Sequence, residues 1–223
     1  MHYSLLFPER NRQRVADTLD LLSGHAMGRL LLAGTVAMLG AQTYMYLNFH
    51  VQPRFDFVLP VDRTMPFLPW TVVLYASYGA LLIAGTLLSP RHEYFKLVGS
   101  ILYATAFAYL VYLLVPAHVP RPPLGVVQNP LLLQLYHSLY QIDAPGNSLP
   151  SLHVAHSVLI GRRLALRSWT WAIWALAICA STLTTHQHVV LDVLGGTLLA
   201  WFVHNRVFGP MWHRGTEAIQ AIK

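Results

Sequence analysis

Apolar runs separated by short polar stretches fill most of the chain. The runs predict six membrane-spanning helices at residues 30–49, 70–88, 97–115, 151–166, 168–185 and 189–207. The first run is close to the ~20 residues that a helix needs to cross about 30 Å of hydrocarbon, and the fourth is shorter. The pattern therefore predicts an all-α, polytopic membrane protein with six transmembrane helices.

Polar segments flank and interrupt these spans. Residues 1–28 contain apolar residues at helical spacing, a pattern that fits both an interfacial amphipathic helix and an ordinary soluble leader. Residues 116–150 form a long proline-rich loop, in which residues 131–140 favour a short surface helix. No flexible linker divides the membrane domain at residues 29–207, and residues 208–223 form a tail. The chain is therefore predicted to hold one domain.

The composition agrees with a membrane location. Hydrophobic residues make up 55% of the 223 residues and charged residues 11%, whereas roughly 25% of the residues in soluble domains are charged. The formal net charge of +6 could point to nucleic acid, but the basic residues are scattered at the ends of the apolar runs, so we expect no nucleic-acid partner. The single Cys179 excludes a disulfide framework and a cysteine metal site.

The basic residues are distributed unequally between the two sides of the predicted bundle. Arg54, Arg63 and Arg121 fall on one side, and the other twelve of the 15 Lys and Arg residues fall on the side of the two termini. Because basic residues are enriched on the cytoplasmic side of membrane proteins, we predict that both termini are cytoplasmic. We expect a multi-pass protein of a bacterial inner membrane.

Two short polar motifs stand at the starts of the fourth and sixth spans. His188 and Asp192 are four residues apart, so on a helix they lie on one face, where a carboxylate can hold and polarise an imidazole. His188 is therefore a candidate nucleophile. His153 follows Pro150, which is typical of a helix start. The charge distribution places these histidines and the aspartate together on the extracytoplasmic side.

The two motifs resemble those of the type 2 phosphatidic acid phosphatase superfamily of membrane phosphatases and phosphotransferases. The Pro-Ser-x-His motif of that family is intact at residues 150–153. Its Ser-Arg motif is followed by a His after five residues and by an Asp after three more. Here the same spacing joins Ser181-Thr182 to His188 and Asp192, with Thr182 in place of the Arg.

The remaining motif of the family survives in part. It places a Lys seven residues before Arg-Pro, and here Arg121 and Pro122 are present while Leu114 stands at the Lys position. The resemblance covers residues 115–196 and implies the helical bundle of that family. The departures are similar to the branch that includes inositol phosphorylceramide synthases and related bacterial proteins.

The resemblance implies a reaction at the phosphorus of a phosphate ester, and the residue chemistry fits it. His188 attacks the phosphorus, oriented by Asp192, and forms a phosphohistidine. His153 protonates the departing alcohol, because an imidazole titrates near neutral pH and suits an acid or a base. His156 lies one turn below His153 and is expected only to tune it or to pack.

Three further residues are predicted to bind the phosphate oxygens. Arg121 is the basic residue left at a position that matches the family, and its planar guanidinium can bind two oxygens at once. His186 occupies a place where relatives often carry a basic residue. Ser151 and the backbone N–H groups at the start of the fourth span would add the positive end of a helix dipole.

Three function classes fit these observations. The favoured one is a lipid phosphatase that hydrolyses a phosphate or diphosphate monoester, with no cofactor and no metal. The second is a lipid phosphotransferase that passes the phosphorylated group to an alcohol such as inositol. The third is a non-enzymatic transporter with a transition-metal site. The ligands of that site would be His153, His186, His188 and Asp192. In the first two classes the partners are a lipid phosphate in the bilayer and the surrounding lipids.

Overall fold

The structure is a computed structural model that describes residues 15, 17–18 and 21–208. The predicted tail from residue 209 onward, and the greater part of the predicted N-terminal segment at residues 1–28, lie outside these residues. The described chain is mostly helical, and it contains one pair of two-residue strands. The predicted all-α class is therefore confirmed.

From residue 26 onward, α-helices follow one another at the positions of the apolar runs. Their bounds are α1 Ala26–His50, α2 Val72–Ala76, α3 Tyr78–Leu88, α4 Arg91–Leu114, α5 Pro130–Ile142, α6 Leu152–Leu164, α7 Thr170–Thr184 and α8 Val190–Phe202. Short 3₁₀ turns at Asp62–Thr64, Pro69–Thr71 and Leu124–Val126, and a π-helical turn at Val203–Phe208, complete the helical structure.

Three helical segments among the described residues are long and apolar enough to cross a membrane. They are Ala26–His50, Pro69–Leu88 and Glu93–Leu114, and they match the first three predicted spans. The helices at the other three positions are shorter, with 13, 15 and 13 residues. At ~1.5 Å per residue these helices extend roughly 20 Å. The six-span count therefore remains a prediction.

The second predicted span is divided at Ser77. The Ser77 hydroxyl donates to the Leu74 carbonyl at 2.6 Å and accepts a hydrogen bond from Trp174 Nε1 at 2.9 Å. A serine hydroxyl that bonds a carbonyl of the preceding turn competes with the helical bonds and bends the helix. The helix is consequently interrupted between α2 and α3, and the bond from Trp174 joins this point to α7.

Helix α6 is the centre of the bundle and contributes to two apolar clusters. Ala155 and Leu159 pack with residues of α4 and α8, whereas Ile160 and Leu164 pack with residues of α3 and α7. Gly196 of α8 lies so close to the start of α6 that a Cβ atom there would meet the Ser151 carbonyl oxygen at 2.5 Å. The glycine therefore lets the two helices that follow the sequence motifs approach each other.

Two connecting loops are joined at the end of the bundle that carries His153 and His188, which we call the site end. Strand β1 (Phe55–Asp56) pairs in parallel with strand β2 (Ala117–His118), with Phe55 opposite Ala117. The predicted helix at residues 131–140 is present as α5, and the Asn129 side chain caps it by accepting the N–H groups of Leu131 and Leu132. The loop between α1 and α2 and the loop after α4 are thus held together at the site end.

The predicted orientation in the membrane can be tested by labelling single cysteines. In a Cys179→Ser background, Gln128→Cys should react with an impermeant thiol reagent added to intact cells, and Arg167→Cys should react only after lysis. Both positions are exposed. A difference in labelling would therefore reflect the side of the membrane and not burial inside the protein. Labelling of Arg167→Cys alone from outside would reverse the orientation that the charge distribution predicts.

Candidate active site

His188 contacts a fully buried carboxylate at the start of α8. Its Nδ1 lies 3.2 Å from Asp192 Oδ2, and the side chain of Asp192 has no exposed surface. Because an ionised carboxylate can only accept, Nδ1 is the ring nitrogen that donates, and in the neutral form of the ring Nε2 has the free lone pair. His188 itself lies before α8, which begins at Val190. The two residues therefore meet across the helix start and not along one helical face.

Asp192 is held in place by the same helix start. Its Oδ2 also accepts the Val189 N–H at 3.1 Å, and a carboxylate in the first turn is stabilised by the positive end of the helix dipole. The Asp192 carbonyl accepts the Ser151 N–H at 3.0 Å. That bond joins the two motifs that stand far apart in the sequence.

The turn before His188 is set by the end of α7. The N–H of His186 donates to Leu183 and the N–H of Gln187 donates to Thr182, each at 3.0 Å, and His186 has a positive φ of 51°. This pattern is a Schellman motif, in which the residue with positive φ is usually glycine. The His188 N–H also donates to the Thr182 carbonyl, at 3.1 Å. Thr182 therefore fixes the backbone of His188.

His153 lies in the first turn of α6 and faces His188. The centroids of the two imidazole rings are 6.3 Å apart. The His153 ring lies against Tyr75 and Tyr78, at centroid distances of 4.2 and 4.4 Å, and its Nδ1 is 3.4 Å from the Tyr75 hydroxyl. The two tyrosines therefore fix the position of the His153 ring on the side that faces His188.

His156 and Ser151 have structural partners. The His156 ring nitrogens lie 2.6 Å from the Tyr78 hydroxyl and 3.0 Å from the Thr105 hydroxyl, and the ring is buried. Ser151 is fully buried and caps α6 by accepting the Val154 N–H at 3.3 Å. Neither side chain lines the two cavities described below.

Arg121 is held by the residues that follow α5. Its guanidinium donates to the carboxylate of Asp143 at 2.8 Å, to the carbonyl of Asp143, and to the carbonyl of Ala144 at 3.3 Å. It also lies over the ring of Tyr140 at 4.9 Å. The second carboxylate oxygen of Asp143 accepts the Tyr44 hydroxyl at 2.6 Å. The positive charge of Arg121 is therefore matched by one carboxylate.

Two cavities meet at His188 and Arg121. The larger one, of about 500 Å³, is lined mainly by apolar residues, including residues of α1, α2, α4 and α5, and reaches His153. The smaller one, of about 260 Å³, contains Arg63 and His186. His188 and Arg121 line both cavities. An apolar chamber and a basic recess thus share the candidate nucleophile.

Two positions where this chain departs from the family motifs lie away from the cavities. Leu114 is at the end of α4 with 68% of its surface exposed. Thr182 is fully buried, and its hydroxyl donates to the Cys179 carbonyl at 2.7 Å. Neither residue lines a cavity.

Sequence reasoning missed Asp62 and Asp143 and left Arg63 unassigned. Asp62 accepts the Val190 N–H at 2.7 Å and the Leu59 N–H at 2.7 Å, which ties its loop to the start of α8. These residues stand in proline-containing loops without a local pattern. The one available signal for a role at the site was the positive charge of Arg63 in a loop predicted to be extracytoplasmic.

The proposed transition-metal site is not supported by the geometry. His186 Nε2 lies 3.2 Å from the Met65 carbonyl oxygen and its ring packs at 5.4 Å from the Phe67 ring. Among the described residues, no three His, Cys, Asp or Glu side chains are arranged to hold a metal ion. The four residues named for that site are therefore not gathered as metal ligands in the described part of the chain.

A family comparison covers most of the membrane domain. The model of the PAP2 superfamily, which is the type 2 phosphatidic acid phosphatase superfamily, matches residues 48–205. Comparisons with curated proteins and with solved structures give no match. The matched residues include both loops of the site end and all the motif residues. The chain therefore belongs to the PAP2 superfamily, whose members have phosphatase-type activity on phosphate esters.

Proposed function

We propose that the protein is a membrane phosphatase that hydrolyses a phosphate or diphosphate monoester of a lipid through a phosphohistidine, with its site on the extracytoplasmic face. The observation that carries the proposal is the position of His188 between the apolar chamber and the basic recess, with Nδ1 on the buried Asp192. The chamber suits a hydrocarbon chain, and the recess suits an anion.

The first chemical step transfers the phosphoryl group to His188. The Nε2 lone pair attacks phosphorus while the bond from phosphorus to the alcohol oxygen breaks, and His153 gives its proton to that oxygen. The imidazole of His188 becomes positively charged when it is phosphorylated. The carboxylate 3.2 Å from Nδ1 stabilises this charge.

The second step releases phosphate and restores the enzyme. Water attacks phosphorus, the bond between phosphorus and Nε2 breaks, and the now neutral His153 takes the proton of the water. His153 therefore acts first as an acid and then as a base. The 6.3 Å between the two ring centroids supports this sequence of roles, because both imidazoles lie next to the same reaction centre.

The phosphate oxygens carry negative charge that the protein must stabilise. Arg121 is the proposed ligand from the loop after α4, since it lines both cavities. His186 lines the basic recess and is a second proposed ligand. Ser151 acts in this proposal through the turn that it caps, because the cap orients the backbone around His153.

The reaction can be tested directly with purified protein in detergent. Phosphatidic acid and a polyprenyl diphosphate are each supplied with and without an alcohol acceptor such as inositol, in the presence of EDTA. We expect release of inorganic phosphate from at least one lipid, without need for a metal or for the acceptor. A new phosphorylated product that appears only with the acceptor would identify a phosphotransferase and overturn the hydrolytic proposal.

A further inference from the structure

The basic recess contains an arginine that no motif of the family includes. Arg63 lines it together with Arg121, His186 and His188. These four side chains come from three separate segments of the chain. Asp62 also lines the recess, but both of its carboxylate oxygens accept backbone N–H groups. The lining thus includes two arginines and one carboxylate that already accepts backbone donors.

Two connections fix Arg63 beside the nucleophile. Asp62, its neighbour in sequence, binds the Val190 N–H at 2.7 Å, and Val190 lies two residues after His188. Strands β1 and β2 join the Arg63 loop to the segment that leads into Arg121. The two arginines thus reach the recess from loops that are paired with each other. The hydrogen bond of Asp62 and the pairing of the two strands therefore hold the backbone of Arg63 beside the recess.

The charges of the two arginines are matched differently. Arg121 is paired with Asp143 at 2.8 Å, and both side chains are mostly buried. Arg63 is exposed at the mouth of the recess, and no salt bridge joins it to another residue of the described part of the chain. A phosphate monoester carries between about 1.5 and 2 negative charges near pH 7. One arginine that is already paired does not balance that charge.

We propose that the recess binds the non-bridging oxygens of the substrate phosphate and that Arg63 is a phosphate-binding residue there. This inference rests on the proposed phosphatase function and names the charge state of its substrate. Arg63 supplies the second cation, in place of the Lys and the Arg whose positions hold Leu114 and Thr182. The site therefore selects a monoester dianion over a diester, which carries a single negative charge.

The test compares Arg63→Gln with Arg54→Gln. Arg54 is an exposed arginine of the same loop that lines neither cavity, so it controls for the general effect of a lost surface charge. We expect Arg63→Gln to raise the KM for the lipid phosphate and the inhibition constant of vanadate by about tenfold or more. Arg54→Gln should change both by less than about twofold, and Arg63→Lys should recover part of the loss.

The charge preference is measured with a monoester and its methyl ester as competing inhibitors. Arg63→Gln should weaken binding of the monoester more than binding of the methyl ester. If Arg63→Gln behaves like Arg54→Gln while the wild type releases phosphate, the inference is overturned and the proposed function stands. The wild type could instead release no phosphate from any lipid, while vanadate raises the melting temperature of the wild type but not of Arg63→Gln. In that case anion binding by the recess through Arg63 is supported, and the proposed phosphatase function is overturned.

Discussion

His188→Ala should abolish phosphate release and should leave no phosphoenzyme. The substitution removes Nε2, and no other described histidine combines a buried carboxylate partner with a place in both cavities. A radiolabelled lipid phosphate, quenched during turnover, should give acid-labile label on the wild-type protein only. We expect a loss of about 10⁴-fold or more, the scale found when a nucleophile is removed from a hydrolase.

Asp192→Asn should keep the fold and lower the rate by roughly 10² to 10⁴-fold. In the wild type, the Val189 N–H and His188 Nδ1 both contact the same carboxylate oxygen, Oδ2. The side-chain oxygen of an asparagine can still accept both hydrogen bonds. The amide has no charge, however, so it does not stabilise the cationic phosphohistidine. The rate of phosphate release should therefore fall, whereas the melting temperature should change much less than it does in Asp192→Ala.

His156→Gln is the matched control for both variants. His156 is buried beside the site, but its two ring nitrogens already have partners in Tyr78 and Thr105, and it lines neither cavity. Its replacement should keep the phosphoenzyme and most of the rate. Label that persists in His188→Ala, or that disappears in His156→Gln with the fold intact, would contradict the assignment of the nucleophile.

The meeting of the two histidine motifs was predictable because each begins a helix on the same side of the bundle. His153 lies in the first turn of α6 and His188 lies just before α8. Helix starts are marked locally by Pro150 and by the acidic residue Asp192 in the first turn. The lengths of the apolar runs and the charge distribution then indicated that the starts of the fourth and sixth spans lie on the same side of the membrane. Local signals therefore sufficed to predict that the two motifs meet.

The shape of the turn before His188 was not predictable from these signals. A Schellman motif usually shows glycine at the position with positive φ, and here His186 occupies it. The predicted fifth span at residues 168–185 ends within one residue of α7, which ends at Thr184. Without a glycine, however, no local signal marked the turn that holds His188 outside a helix. The spacing of His188 and Asp192 consequently suggested a single helical face.

The basic recess was not predictable either, because it depends on contacts between distant residues. Asp62 and Val190 are 128 residues apart, and each strand of the β1 and β2 pair has only two residues. Such short strands leave no alternating pattern. The sequence therefore placed Arg63 on the correct loop but could not link it to His188.

Arg121→Ala should reduce the rate by about 10² to 10³-fold and should also lower stability. The guanidinium is the cation paired with Asp143, whose side chain is only 16% exposed. Removal of one partner of a mostly buried ion pair leaves an uncompensated charge, which costs about 3 kcal/mol. The melting temperature in detergent and the rate of phosphate release should therefore both fall.

The double variant Arg121→Ala/Asp143→Ala separates the two effects. It removes the uncompensated carboxylate together with its partner, so the melting temperature should recover towards that of the wild type. The rate should stay low, because the cation between the two cavities is still absent. If the double variant recovers the rate as well as the stability, Arg121 acts only as the anchor of Asp143, and phosphate must be held by the other basic residues of the recess, Arg63 and His186.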